Sequence, residues 1–263
     1  MESPRRVIAI LGAGGTLGSA ISRKLAGEPG TDLVLSDLSD SALQETLSGL
    51  PVGTGSGGSA SGGTASGGTA QVETVLADVS DFAQVEAVVK RAVEVHGRLD
   101  VLISNAGILS PNGRIHNLTT QDWERAFHVN VLGPVNGIRA AVPVMRAQKS
   151  GSIILTASVA GLTAWSHSAP YCVTKAGVIH LAKTAAVEYA RDGIRVNCVC
   201  PGTFLSAMHT GLPAEAIEAI AAKHPLGLGA ADDLVGAYSY LASDAARWTT
   251  GSAIVVDGGY AAP

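Results

Sequence analysis

The chain has 263 residues, of which 46% are hydrophobic and 15% charged, and its net charge at pH 7 is −4. This length can bury a sizeable core without disulfides or a structural metal, and aromatic residues at 4% leave that core to Ala, Val, Ile and Leu. The mild acidity and the lack of a basic stripe argue against a nucleic-acid partner.

The first apolar run, Val7–Leu11, is interrupted at once by glycines. It is too short for a signal peptide or a membrane span, so we expect a cytoplasmic protein with no membrane partner. The chain has three cysteines and no Cys-x-x-Cys pair. An odd count without that motif argues against a disulfide framework and against a metal site.

Short β-type runs alternate with longer helical patterns along the chain. The predicted strands are Val7–Leu11, Asp32–Ser36, Val72–Leu76, Val101–Ser104, Ser152–Thr156, Arg195–Cys200 and Ala253–Val256. The predicted helices are Leu17–Ala26, Ser41–Leu47, Phe82–His96, Gln121–Arg146, Pro170–Ala190 and Asp232–Ser243. Repeated β-α-β order predicts an α/β fold, with a Rossmann-type, doubly wound parallel sheet flanked by helices in one domain, 1–263.

A glycine cluster follows the first predicted strand, in Gly12-Ala-Gly14-Gly15-Thr16-Leu17-Gly18, and a predicted helix begins inside it. At such a turn the backbone N–H groups and the positive end of the helix dipole can bind a pyrophosphate. Glycine also lets the backbone approach a ligand closely. The spacing differs from Gly-x-Gly-x-x-Gly because residue 17 is leucine.

Asp37 ends the second predicted strand, nineteen residues after Gly18. A carboxylate at that distance is typical of a group that binds the adenosine ribose hydroxyls. It would repel the extra phosphate of NADP, and the neighbouring Leu38 offers no cation to bind that phosphate. The sequence therefore favours NAD over NADP.

Two segments differ from the regular pattern. Residues 53–70 form a Gly/Ser/Thr tract that cannot bury apolar surface, so we expect a flexible surface loop. Residues 203–225 are apolar with Gly and Pro breakers and directly follow a predicted strand. We favour a lid over a substrate pocket for this segment, and the alternative is an ordinary connection with a short helix from about Pro213 to His224.

Tyr171 and Lys175 are four residues apart, thirteen and more residues after Ser158. On a helix, such a pair shares one face. A free tyrosine has a pKa of about 10, and one charge about 4 Å away contributes roughly 4 kcal/mol at an effective dielectric of about 20. A lysine could therefore bring the tyrosine into the range useful for acid–base catalysis.

Together these motifs resemble the short-chain dehydrogenase/reductase family, over essentially the whole chain. Asp78-Val79, Asn105-Ala106-Gly107 and Asp257-Gly258-Gly259 match further family signatures. Ser206 stands where the family often has a threonine that contacts the nicotinamide amide. The departure lies in the glycine segment, where Leu11 and Thr16 replace a threonine and a glycine of the common family pattern.

The resemblance implies a catalytic set of Asn130, Ser158, Tyr171 and Lys175. Tyr171 would be the general acid/base, Ser158 would polarise the substrate oxygen, and Lys175 would lower the tyrosine pKa and hold the nicotinamide ribose. Asn130 would support a water linked to Lys175. The implied cofactor-binding residues are Gly12, Gly14, Gly15, Thr16, Leu17, Gly18, Asp37, Asp78, Val79, Asn105, Ala106, Gly107, Tyr171, Lys175, Pro201, Gly202, Phe204 and Ser206.

The candidate substrate pocket is mostly apolar and consists of Ile108, Leu109, Ala160, Leu162, Phe204, Leu205 and Met208. It contains no arginine or lysine, which favours an uncharged, hydrophobic secondary alcohol or ketone. His167 and Trp165 lie in a loop that would rim this pocket, where they could contact the substrate or serve only in packing.

The sequence thus predicts an NAD-dependent alcohol dehydrogenase or ketone reductase. The alternatives are an NADP-preferring carbonyl reductase, an epimerase or dehydratase of the same superfamily, and a non-catalytic dinucleotide-binding regulator. By analogy with the family, the helices predicted over 121–146 and 170–190 would pair across subunits of a homotetramer or homodimer.

Overall fold

The computed structural model describes residues 5–51, 70–206 and 213–262. Parallel strands form one seven-stranded sheet in the order β3-β2-β1-β4-β5-β6-β7. The strands are β1 Arg6–Leu11, β2 Thr31–Asp37, β3 Val72–Leu76, β4 Val101–Ser104, β5 Gly151–Thr156, β6 Ile194–Pro201 and β7 Ala253–Val256. The predicted doubly wound sheet and all its predicted strands are confirmed.

Helices cover both faces of this sheet. They are α1 Thr16–Ala26, α2 Asp40–Ser48, α3 Phe82–His96, α4 Thr120–Phe127, α5 Gly133–Gln148, α6 Ala169–Tyr189, α7 Ala214–Ala221 and α8 Ala231–Ala242. The faces differ because side chains alternate along a strand. In β1, Val7 and Ala9 pack in a core with α3, α5 and α6, whereas Ile8 and Ile10 pack in a second core with α1, α2 and α8.

The strand order reverses at β1, which pairs with β2 on one side and β4 on the other. In open α/β sheets, ligands bind outside the carboxyl ends of the strands at such a switch point. The glycine cluster follows β1, and Asn105 follows β4, so the predicted dinucleotide residues meet at this edge.

The helix predicted over 121–146 is wrong as one unbroken element. It divides into α4, a π-helical turn at His128–Leu132 and α5. The predicted start is confirmed, because Thr119 and Asp122 form a capping box in front of α4. The apolar pattern continues across the turn, so periodicity alone gave no break, but Gly133-Pro134 marks the point where α5 begins.

The two irregular segments lie partly outside the described residues. Residues 52–69, nearly all of the Gly/Ser/Thr tract, are among those not described, as are 207–212 within the predicted lid. The described part of 203–225 contains α7, where the alternative interpretation placed a short helix, and the lid itself stays a prediction. Within the described ranges, no helix is both long enough and apolar enough to cross a bilayer.

Candidate active site

A cavity of about 1140 Å³ opens at the carboxyl edge of the sheet. A typical small-molecule pocket has about 300–1,000 Å³, so this one has room for a dinucleotide and a substrate together. Gly12, Asp37 and Val79 line one end, and Ser158, Tyr171 and Lys175 line the other.

The glycine turn fits closely against the loop after β4. Gly12 has a φ of +82°, and a Cβ on it would stand 2.6 Å from the backbone of Ala106. Any other residue here would be strained and would collide. Asn105 closes the contact, since its Nδ2 donates to the Gly12 carbonyl at 2.9 Å. The turn leads into α1 without a side-chain cap, so the first turn of that helix presents backbone N–H groups to the cavity.

Asp37 has two roles at the end of β2. Its carboxylate accepts hydrogen bonds from the Gly14 N–H at 2.9 Å and from the Ser39 N–H at 3.1 Å. It also lines the cavity, next to Leu38, whose side chain is 73% exposed. The glycine turn is therefore fixed by the same anion that faces the expected position of the adenosine ribose.

Asp78 and Val79 lie in the loop after β3, at the same end of the cavity as Asp37. Asp78 accepts hydrogen bonds from the backbone and the hydroxyl of Ser80. The Val79 carbonyl accepts from Asn136 Nδ2 at 2.9 Å. A Cβ on Gly133 would stand 3.0 Å from the Val79 side chain, so the start of α5 forms the back wall of this end.

Lys175, Ser158 and Tyr171 converge at the opposite end. Lys175 is buried, and its Nζ donates to the Thr156 carbonyl at 2.8 Å and lies 5.8 Å from the centre of the Tyr171 ring. The Ser158 side chain hydrogen-bonds to Tyr171, and its Oγ accepts from the Ala160 N–H at 3.1 Å. The serine is thereby oriented by the turn that follows β5.

Burial has the largest effect on the pKa values of Tyr171 and Lys175. It raises the pKa of the Tyr171 hydroxyl, while the hydrogen bond with Ser158 acts in the opposite direction. It lowers the pKa of Lys175 from 10.5 to about 8. Burial therefore outweighs the Ser158 hydrogen bond at Tyr171, and the expected lowering of the tyrosine pKa by Lys175 stays a prediction.

Asn130 is held in the π-helical turn and is fully buried. Its Oδ1 accepts from the Ile108 N–H at 2.8 Å, and its Nδ2 donates to the Ile108 carbonyl at 2.9 Å and to Thr174 Oγ1 at 3.1 Å. These bonds fix the β4–α4 loop against α6. Through Nδ2 and Oδ1, Asn130 therefore holds the backbone of Ile108 in place. Its expected role in supporting a water linked to Lys175 stays a prediction.

Aromatic rings enclose the cavity beyond the tyrosine. Trp165 stacks on Tyr171 with ring centres 6.0 Å apart, and Tyr260 meets Trp165 edge-on at 6.3 Å. Tyr260 reaches this position because Gly258 and Gly259, with φ of +60° and +88°, turn the chain after β7. A stacked ring keeps water from the phenol and supports the pKa shift described above.

Comparison with known proteins is consistent with this geometry. A family model described as enoyl-(acyl carrier protein) reductase matches residues 12–261. The chain belongs to the short-chain dehydrogenase/reductase family. Cis-4-hydroxycyclohexanecarboxylate dehydrogenase of Sinomonas cyclohexanicum is 35% identical over 258 residues, 98% of this chain and 97% of that protein.

Solved structures of this family superpose closely. The crystal structure of levodione reductase has a TM-score of 0.85 at 31% identity and covers 98% of both chains. A structure of ElxO with NADP bound has a TM-score of 0.85 at 25% identity, covering 98% of this chain and 100% of that one. The protein is thus an oxidoreductase of a family that binds a nicotinamide dinucleotide.

Most of the predicted site residues of this short-chain dehydrogenase/reductase line the cavity described above. Exceptions are Gly14 and Gly18, which shape the turn, and Asn130, which lies behind the wall. The predicted cofactor residues that line it are Gly12, Gly15, Thr16, Leu17, Asp37, Asp78, Val79, Asn105, Ala106, Gly107, Tyr171, Lys175, Pro201, Gly202, Phe204 and Ser206.

The predicted substrate pocket needs correction. Ile108, Leu109, Phe204 and Trp165 line the cavity, whereas Ala160, Leu162, Leu205 and His167 do not, and Met208 lies outside the described residues. Ala160 is buried, and His167 is exposed. Two cations that the sequence did not predict, Arg125 and Lys223, also line the cavity.

Sequence reasoning missed a histidine that joins three parts of the cavity wall. His224 is buried, and its Nδ1–H donates to the Ile220 carbonyl while its Nε2 accepts from the Thr203 N–H at 3.1 Å. Its ring packs on Tyr260 with centres 4.8 Å apart. It therefore ties the end of α7 to the loop after β6 and to Tyr260, and no sequence motif surrounds it.

The lowered lysine pKa predicts a pH dependence for dinucleotide binding. If the Lys175 ammonium binds the ribose hydroxyls, binding raises its pKa, so affinity is full below about pH 8 and is lost above it. The dissociation constant of NADH should then rise about tenfold per pH unit until the pKa of the complex is reached. Fluorescence titration from pH 6 to 10 measures it, and Lys175→Met should give a flat profile. A flat profile in the wild type would contradict the role.

Proposed function

We propose that the protein is an NAD(H)-dependent dehydrogenase/reductase of a secondary alcohol/ketone pair. The observation that carries this proposal is the convergence of Tyr171, Ser158 and Lys175 at one end of a cavity whose other end carries the glycine turn and Asp37. Together, the two ends supply a binding site for a dinucleotide and a proton donor for the substrate.

Tyr171, Ser158 and Lys175 have separate roles in the proposed reaction. When bound, the nicotinamide supplies or accepts the hydride. In reduction, the Tyr171 hydroxyl donates its proton to the carbonyl oxygen, and in oxidation it takes the alcohol proton. Ser158 donates a hydrogen bond to the same oxygen where negative charge develops. Lys175 places its positive charge beside the phenol and favours its ionised form.

The preference for NAD over NADP follows from the charges around the ribose. Asp37 is an anion held rigidly by Gly14 and Ser39. A 2′-phosphate would lie against this carboxylate and next to the apolar Leu38. One relative has NADP bound, so membership of the family does not assign NAD to this chain, and the proposed preference is supported by the charge at this strand end.

The part of the substrate next to the reacting carbon should be uncharged and hydrophobic. Trp165, Phe204 and Tyr260 line the cavity at the tyrosine end, together with Ile108 and Leu109. Flat apolar walls favour a compact carbon skeleton, often a ring, over a polar chain.

A spectrophotometric screen tests the proposal. NADH and NADPH oxidation should be followed with a panel of cyclic and acyclic ketones, and NAD reduction with the matching alcohols. Turnover with NADH supports the assignment, and turnover with NADPH alone would favour the carbonyl-reductase alternative. Dinucleotide binding without turnover on the whole panel would favour the non-catalytic regulator.

We also propose a homodimer or homotetramer that pairs α5 and α6. Support comes from apolar side chains left exposed on or beside these helices, Leu132 at 42%, Val173 at 47% and Val187 at 81%. Val187→Glu should lower the mass measured by sedimentation, whereas Val93→Glu on α3, the matched control, should not. A monomeric wild type would refute the proposal. A cytoplasmic location stays a prediction.

A further inference from the structure

A lysine stands at the edge of the aromatic part of the cavity. Ile220 lies in the last turn of α7, Lys223 lies in the turn that follows the helix, and both line the cavity. The next residue, His224, packs on Tyr260, which contacts Trp165, which stacks on Tyr171. These ring contacts place His224 beside the tyrosine end of the cavity, and Lys223, the residue directly before it, lines the same cavity.

The charges that line the cavity are unevenly distributed. Among the described lining residues the carboxylates are Asp37 and Asp78, and both lie at the dinucleotide end, where they already accept N–H groups. Lys175 donates to Thr156. Within the described residues, Lys223 has no carboxylate within ion-pair distance. The substrate end is therefore positive, without a protein anion to balance it.

Arg125 is a less suitable partner for the substrate. It lies on α4, which packs against α6 and the π-helical turn, whereas Lys223 directly precedes the histidine that packs on Tyr260. Lys223 is the cation that borders the aromatic rings, and a single exposed ammonium suits a monoanion.

We propose that the substrate is a hydroxy or oxo acid whose carboxylate binds Lys223. The reacting carbon would lie against Tyr171, a compact apolar body would lie between the aromatic rings, and the carboxylate would reach the rim at α7. This inference rests on the proposed ketone/alcohol function and specifies its substrate class.

Inhibition by a matched pair of ring compounds tests the inference. Cyclohexanecarboxylate and its neutral isostere cyclohexanecarboxamide should be compared as inhibitors against the best ketone of the panel. In the wild type the acid should bind at least about tenfold more tightly, and added salt should reduce this preference because the site is exposed. Lys223→Gln should abolish the preference, and Lys223→Arg should retain it.

The controls separate the substrate role from other roles of the lysine. Arg125→Gln should leave the preference unchanged, and the NADH dissociation constant should be the same in Lys223→Gln and the wild type. Equal inhibition by acid and amide in the wild type overturns the inference. So does a preference that survives Lys223→Gln, or a loss of NADH binding in that variant, which would assign the lysine to the dinucleotide. If no ketone is reduced at all, the proposed function itself fails.

Discussion

Replacing Tyr171 with phenylalanine should lower kcat by about a hundredfold to ten-thousandfold, the range that a positioned general acid contributes. The variant keeps the ring that stacks on Trp165, so the aromatic wall is preserved. It loses only the hydroxyl that exchanges the proton with the substrate oxygen and that bonds to Ser158. Stopped-flow and steady-state measurements with NADH and the best ketone provide the value.

The matched controls for this variant are NADH binding and Ser158→Ala. NADH should bind with nearly unchanged affinity to Tyr171→Phe, because the glycine turn and Asp37 are untouched. Ser158→Ala should lower kcat less, since it removes a stabilising hydrogen bond but leaves the proton donor. A Tyr171→Phe enzyme with near-normal turnover would remove the tyrosine from the reaction.

Replacing Asp37 with asparagine should reduce the NADH preference over NADPH by about ten- to a hundredfold. Hydrogen bonds to charged groups contribute about 1.5–3 kcal/mol, and the substitution removes that charge from the ribose site. It also removes repulsion of the 2′-phosphate. Kd values for both dinucleotides, measured by fluorescence on the same preparations, test the ratio.

Asparagine is preferred to alanine for this test because the carboxylate also accepts the Gly14 N–H. An amide oxygen can retain that bond, so the glycine turn should keep its shape. Asp78→Asn, at the neighbouring loop, is the matched control and should leave the ratio between the cofactors unchanged. An unaltered preference in Asp37→Asn would show that another group selects the cofactor.

Features that depend on residues within one strand or one helix could be predicted from the sequence. The Val- and Ile-rich runs predicted the strands because buried parallel strands need such residues on both faces. Tyr171 and Lys175 could be paired because one helix carries both. Gly12 and Asp37 could be placed because the first directly follows β1 and the second ends β2.

Features that depend on tertiary packing could not be predicted. Tyr260 and Lys223 reach the cavity, and His224 packs behind Tyr260, through irregular turns after α7 and β7, and no periodic pattern gives their direction. The pKa of Tyr171 depends on how far Trp165 and its neighbours exclude water, which a spacing of four residues does not contain. The π-helical turn escaped detection because apolar residues continue on both sides of it.

The π-helical turn at His128–Leu132 affects how the chain tolerates the deletion of a residue. Residues in an α-helix are rotated by about 100° from one to the next, so deleting a single residue within His128–Leu132 would let α4 and α5 join as one regular rod. Such a shortened helix would gain backbone regularity, yet Asn130 would swing away from Ile108 and free the loop that borders the reaction centre. A library of one-residue deletions should therefore yield, at this turn, variants that lose both catalytic alignment and melting temperature, because the buried bonds of Asn130 are broken and the buried face of α5 is turned out of the core.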